Sequence, residues 1–193
     1  LVPLVRSGST RMHRVVEQLV MKTQIETSRL SYDKLLEAGI SVRGDDLVNY
    51  SVNHAKQFAL RNKDAHITTT INAPEAEVSG NNRALFHAIG EIIINALHFS
   101  EPEQSVNIEQ WGDEATLFIQ VSDFGRGIPK NRLDEAYQPF VQIDRENFEQ
   151  QGIGIGLWLA RNIVEIHQGQ IDVESGLGEG TQVTIQLPIK KLI

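Results

Sequence analysis

No cysteine occurs in these 193 residues. That excludes a disulfide framework, a thiolate metal site and a thiol nucleophile, and it is compatible with the cytosol. A membrane-spanning run is missing too. The richest apolar stretch, Ala84 to Phe99, is broken by His87, Glu91 and Asn95 and falls short of the ~18 uninterrupted apolar residues a span requires. Basic side chains are in the minority: 18 Lys and Arg face 25 Asp and Glu, a formal charge of -7. With no run of like charge, this argues against a surface that tracks nucleic-acid phosphates. The reading is a soluble, cytoplasmic piece with no membrane contact of its own, whether or not its parent protein is anchored elsewhere.

What is present suffices for one domain, since 40% of the residues are hydrophobic and the length is ordinary. Residues 1–9 hold no periodic pattern and read as a leader foreign to the domain. From Arg11 to about Leu30 a helical pattern sets Met12, Val15, Val16, Leu19 and Val20 on one face. Such a helix either belongs to a neighbouring bundle or packs on its own domain. The expected division is therefore 10–38 as a helix with its linker and 39–193 as the main domain.

Within that domain, Gly39 to Gly44 is a break, and Asp45 or Asp46 caps a helix to about Asn62. His66 to Ile71 alternates as a strand. Asn81 caps a helix from Asn82 to Phe99. Strands Val106–Trp111 and Ala115–Ser122 follow, joined at Gly112-Asp113. Asp123 to Gly154 is irregular, with a short helix near Arg132 to Ala136. A helix from Gly156 to His167 precedes strands Gln170–Glu174 and Thr181–Leu187, which flank a Gly-rich turn. Mixed order favours an α+β two-layer sandwich: about five strands in a mixed sheet, covered on one face by about three helices.

Three segments carry chemistry. On the helix Asn82–Phe99, His87, Glu91, Asn95 and His98 recur at steps of four, four and three, so they stack on one side. A solvated face would mix Lys with Glu; this one offers a carboxylate, an amide and two imidazoles, suited to a hard cation or a water. Asp123-Phe124-Gly125-Arg126-Gly127-Ile128 follows directly on a strand, setting a fixed carboxylate beside glycines that permit close backbone approach. Gly152-Ile153-Gly154-Ile155-Gly156-Leu157 opens a helix, presenting backbone N–H groups and a positive helix end to an anion. Neither the P-loop nor the dinucleotide fingerprint fits it. The polar stretch before it, Gln142 to Gln151, suits a lid.

In this order, Glu91-x-x-x-Asn95, Asp123-x-Gly125-x-Gly127, Phe140, Gly152-x-Gly154-x-Gly156 and Gly178-x-Gly180-Thr181 resemble the N, G1, F, G2 and G3 boxes of the histidine-kinase and gyrase-type ATPase superfamily. The wording Asn95-Ala96-Leu97-His98-Phe99-Ser100, Tyr137-Gln138-Pro139-Phe140 and Ile163-Val164-Glu165-Ile166-His167-Gln168-Gly169 looks like the histidine-kinase branch. The resemblance covers roughly residues 42 to 189. Arg11 to Ser31 looks like the end of the second helix of a dimerisation and phosphoacceptor domain.

The resemblance implies a Bergerat-type fold with a flexible ATP lid, and ATP and Mg²⁺ as cofactors. It implies that Asp123 accepts the exocyclic N–H of adenine, that Asn95 holds Mg²⁺ and that Thr181 supports the base pocket. His98 stands where the family usually has Lys or Arg near the phosphates. Gly152, Gly154 and Gly156 form the lid hinge and a phosphate-facing turn, and Arg145 is the lid cation. Nucleotide contacts are implied also for Phe99, Gly125, Gly127, Ile128, Ile153, Ile155 and Leu157, while Phe140 anchors the lid. Glu91 departs from the second Asn of many histidine kinases, and as a carboxylate it is a candidate general base. No histidine here sits in a phosphoacceptor motif: His13, His54, His66 and His167 read as surface or packing residues. The implied activity is transfer of the γ-phosphate of Mg-ATP to a histidine on a separate dimerisation domain of a homodimeric parent. A response-regulator receiver domain is the next partner. The alternatives are a gyrase-like hydrolytic ATPase and a nucleotide-binding module without catalysis.

Overall fold

The computed structural model describes residues 2–38, 40–58, 66–100, 103–143 and 152–190. Its elements run α1 (Val2–Glu26), α2 (Tyr32–Ala38), β1 (Ser41–Arg43), α3 (Gly44–Phe58), β2 (Ile67–Ile71), β3 (Glu77–Ser79), α4 (Asn82–Phe99), β4 (Val106–Gly112) and β5 (Thr116–Asp123). A 3₁₀ turn (Lys130–Arg132), α5 (Leu133–Ala136), α6 (Gly156–Ile166), β6 (Gln170–Gly176) and β7 (Gly180–Pro188) complete the chain. The main sheet has the order β2-β4-β5-β7-β6; β2 runs parallel to β4, and the other pairs are antiparallel. Helices α3, α4 and α6 pack together, with α4 and α6 against the sheet. The expected α+β sandwich with a mixed five-stranded sheet is what forms.

Alternation builds the core. Leu117, Ile119 and Val121 of β5 point inward at every second position, meeting Ile185, Leu187 and Val183 of β7 and the apolar face of α4, where Leu85, Ile89 and Ile93 are fully buried. Asn81 caps α4 as expected, its Oδ1 accepting the Ala84 N–H at 2.9 Å. The β4–β5 turn is held by Asp113, whose Oδ1 accepts the N–H groups of Ala115 and Thr116.

Some elements differ from expectation. The break over Gly39 to Gly44 contains β1, which pairs with an unanticipated β3, and α2 was not foreseen. Helix α1 begins at Val2, so the segment expected to lack pattern is helical from its second residue. Of the apolar face read on α1, Met12, Val16, Leu19 and Val20 are exposed and Val15 is half-buried, while Arg14, Gln18 and Met21 are buried. The helix packs on its own domain through its polar side.

His167 is a packing histidine, as expected. Its ring is 2% exposed; Nδ1–H donates to the Ile163 carbonyl at 2.6 Å, and Nε2 accepts the Asn81 N–H at 3.0 Å. Burial outweighs the Ile163 contact and pushes its pKa down, consistent with a neutral ring that ties the end of α6 to the start of α4. His167→Leu strands the Asn81 N–H and is expected to cost about 1–3 kcal/mol. Urea unfolding measures this, and an unchanged midpoint would remove the ring's bridging role.

Candidate functional site

Asp123 ends β5 on its inward side and is 8% exposed. Its Oδ1 accepts two backbone N–H groups, from Gly125 at 2.9 Å and Thr181 at 3.2 Å, which aim the carboxylate without using Oδ2. Burial raises its pKa to about 6, against the lowering effect of those two bonds. A carboxyl so placed is short of hydrogen-bond donors and suited to a ligand N–H.

The loop after it depends on a residue without a side chain at Gly127. The φ there is +67°, and a Cβ would lie 1.9 Å from the Gly176 carbonyl oxygen, so only glycine lets the two turns close on each other. Ser175 seals the junction: its Oγ accepts the Ile128 N–H, donates to the Gly180 carbonyl and lies 2.9 Å from Thr181 Oγ1. Sequence reading gave Ser175 no role, because a serine in a strand carries no signal of its own.

Asp123, Gly127, Ile128 and Thr181 line an open cleft shared with α4 and the start of α6. The polar stripe of α4 is divided between two surroundings. Asn95 and His98 line the cleft. Glu91, expected to face a ligand, instead lies fully buried beneath α1 and outside the cleft lining. Arg14 donates to both its oxygens, Nε at 3.2 Å and Nη2 at 2.6 Å, and Gln18 Nε2 adds a third bond at 2.8 Å. Burial alone would raise this carboxyl; the charge and hydrogen bonds of Arg14 outweigh it, and the pKa lies below the ordinary value.

Phe99, Asp123, Gly127, Ile128, Gly152, Ile153, Gly154, Gly156, Leu157 and Thr181 join Asn95 and His98 on the cleft wall. Two expected contacts do not. Ile155 is fully buried in the core, and Gly125 sits behind the wall, donating to Asp123 where a Cβ would meet the Phe99 carbonyl oxygen at 2.2 Å. Arg145 lies outside the described residues. Arg14, Gln18 and Arg126 line the cleft unforeseen. Arg126 lies 4.8 Å over the Phe99 ring and donates to the Ile143 carbonyl. Its position inside the Asp123–Gly127 turn was the available signal.

The helix α6 opens at Gly156 with no side-chain cap, which leaves its first N–H groups for an anion. Gly154 precedes it at φ +77°, a Cβ meeting the Val141 carbonyl oxygen at 2.6 Å. Phe140 N–H donates to the Gly154 carbonyl at 2.8 Å, and Gln142 Nε2 to that of Gly152. The Phe140 ring is 55% exposed and does not line the cleft. A divalent cation in this cleft would meet the Asn95 amide oxygen as a hard ligand. Glu91 adds none while Arg14 holds it.

Residues 80–191 match the family model described as histidine kinase-, DNA gyrase B- and HSP90-like ATPase. An uncharacterized sensor-like histidine kinase of Rhizobium meliloti is 28% identical over 97% of this chain and 35% of its own length. Sensor histidine kinase RppB of Synechocystis is 30% identical over 94% of this chain and 41% of its own. The chain thus spans about a third to two fifths of these relatives. The mycobacterial sensor histidine kinase MprB shares the fold at a TM-score of 0.68 and 21% identity, with 80% of this chain and 99% of that one covered. The order of the site elements, the mixed sheet and the family match agree: the chain belongs to the histidine kinase-, DNA gyrase B- and HSP90-like ATPases, as an ATP-binding domain of the histidine-kinase type.

Proposed function

We propose that this domain transfers the γ-phosphate of Mg-ATP to a histidine on a dimerisation domain of its parent protein, from which the phosphoryl group passes to a response regulator. The observation that carries the reading is one cleft lined by a buried carboxylate (Asp123), the Asn95 amide and an uncapped helix start at Gly156. Adenine seats against Asp123, with Thr181 and Ser175 fixing the turn beneath it. The phosphates reach the start of α6, with His98 and Arg126 on the same wall. Mg²⁺ neutralises phosphate charge and orders the triphosphate. Arg145 is the lid cation in this reading.

The outward apolar stripe of α1 (Met12, Val16, Leu19, Val20) suits a partner helix of a dimerisation bundle. Hydrolysis, the alternative, needs a carboxylate able to take a proton from water. Glu91, buried against Arg14 with a lowered pKa, is poorly suited to that unless α1 withdraws, and the same holds for its role as base toward an accepting imidazole.

Incubation with γ-labelled ATP tests the reading. No label is expected on this chain alone, and acid-labile, alkali-stable label is expected on a dimerisation domain supplied in trans. Label on this chain itself, or phosphate release with no transfer, would overturn it.

A further inference from the structure

Beside the Arg14–Glu91 pair lies a second cluster that the phosphoryl-transfer reading does not use. Glu17 of α1, His54 of α3 and His87 of α4 each turn one ligand atom into a common space, all within 4.8 Å of one another. His87 is 4% exposed. Neither of its ring nitrogens has a hydrogen-bond partner among the described residues, and the same is true of His54 Nε2 and Glu17 Oε2. Each buried polar atom left this way costs about 1–3 kcal/mol, and each of the three residues brings one ligand atom to the same spot. A hydrogen bond does not explain the approach, since His87 Nε2 and Glu17 Oε2 are 3.7 Å apart. The two imidazole rings lie 4.9 Å apart, tilted by 55°.

We propose that Glu17, His54 and His87 bind a borderline divalent transition-metal cation, Zn²⁺ being the best match. Two imidazole nitrogens and one carboxylate oxygen form a three-ligand set with a fourth position for water, whereas Mg²⁺ and Ca²⁺ prefer oxygen alone. Metal–ligand bonds of about 2.0–2.1 Å in a tetrahedron place ligand atoms roughly 3.3 Å apart. The 3.7 Å separation of Glu17 and His87 is near that value, and no ligand atom of the three lies more than 4.8 Å from another. With His87 Nε2 on the cation, its Nδ1–H faces Glu91 Oε1, now at 4.0 Å, the carboxylate that commonly orients a metal-bound histidine. His13 Nε2, 3.4 Å from Glu17 Oε1, and Arg83 Nη2, 3.9 Å from it, are the competing partners of Glu17, and both are exposed.

The carboxylate comes from α1 and both imidazoles from the domain body, so the cation would fasten α1 to the domain and couple its docking to metal supply.

Calorimetric titration of the 193-residue protein with Zn²⁺ alone, without nucleotide, tests this. One equivalent is expected to bind. His54→Ala and Glu17→Gln, each checked for native circular dichroism, are each expected to weaken binding at least about tenfold. Zn²⁺ is expected to raise the melting temperature of the wild type but not of either variant. Co²⁺ should give the intense visible absorption of a tetrahedral nitrogen–oxygen site. Binding that both folded variants retain unchanged, or no stoichiometric binding by the wild type, would overturn the assignment.

Discussion

Glu91→Gln is expected to destabilise the folded protein by about 3 kcal/mol, because it leaves the Arg14 guanidinium buried without its counter-charge. Glu91 is sealed from water and Arg14 meets it only at the cleft wall, with side chains 0% and 10% exposed, so water replaces the missing interaction poorly. Urea unfolding measures the loss. The double variant Arg14→Leu/Glu91→Leu is expected to recover most of it, since apolar groups of similar size remove both desolvation penalties together. The ion pair also sets an acid limit. A carboxyl with a lowered folded pKa contributes stability that is complete above its unfolded value of 4.5 and is lost as pH falls through the folded value. Phosphotransfer to a supplied acceptor separates anchoring from base catalysis on the same protein. A general base costs about 10²–10⁴-fold when its charge is removed, whereas a carboxylate that anchors α1 leaves transfer by the folded variant within about tenfold. The second outcome is expected, because a carboxylate held by a bidentate guanidinium accepts a proton poorly.

Asp123→Asn is expected to weaken ATP and ADP binding by about 10- to 100-fold, the size of one charge-assisted hydrogen bond. Calorimetry with both nucleotides checks it, and equal affinity would sink the adenine assignment. The wild type should also show a pH dependence. Asp123 has a folded pKa of about 6 against 3.8 for a free carboxyl. Between these values the unfolded chain releases this proton before the native state does, so stability without nucleotide falls as pH rises through the window. Adenine reverses the sign by donating to the ionised form. Affinity should therefore climb to about pH 6 and then level, being about tenfold weaker at about pH 5. The asparagine variant should show a flatter profile, which isolates Asp123 from His98.

The sheet and its helices were legible because their signals are local. Alternation in β5, the Asn81 cap and the glycines before α6 each act within a few residues. Asp123 was legible for the same reason, as a carboxylate at a strand end beside glycines. What was not legible depends on distant partners. Hydropathy sets Met12, Val15, Val16, Leu19 and Val20 on one face of α1, but which face docks on the domain is decided by a carboxylate 77 and 73 positions from Arg14 and Gln18. One stripe of α4 reads as one site until α1 covers half of it. The β1–β3 pair, three residues a strand, is too short to show a period.

The bonds from Phe140 to Gly154 and from Gln142 to Gly152 hold together the two stems of the segment they enclose. Closing a loop whose stems are already fixed depends only weakly on its length, about 0.6 kcal/mol for each doubling. Extra residues between the stems therefore cost little in closure entropy, whereas Gly154, at φ +77° and with any Cβ 2.6 Å from the Val141 carbonyl oxygen, tolerates no larger residue. Relatives built on the same neck have a route to differ in the length and charge of the enclosed segment without redesign of the stems that hold it.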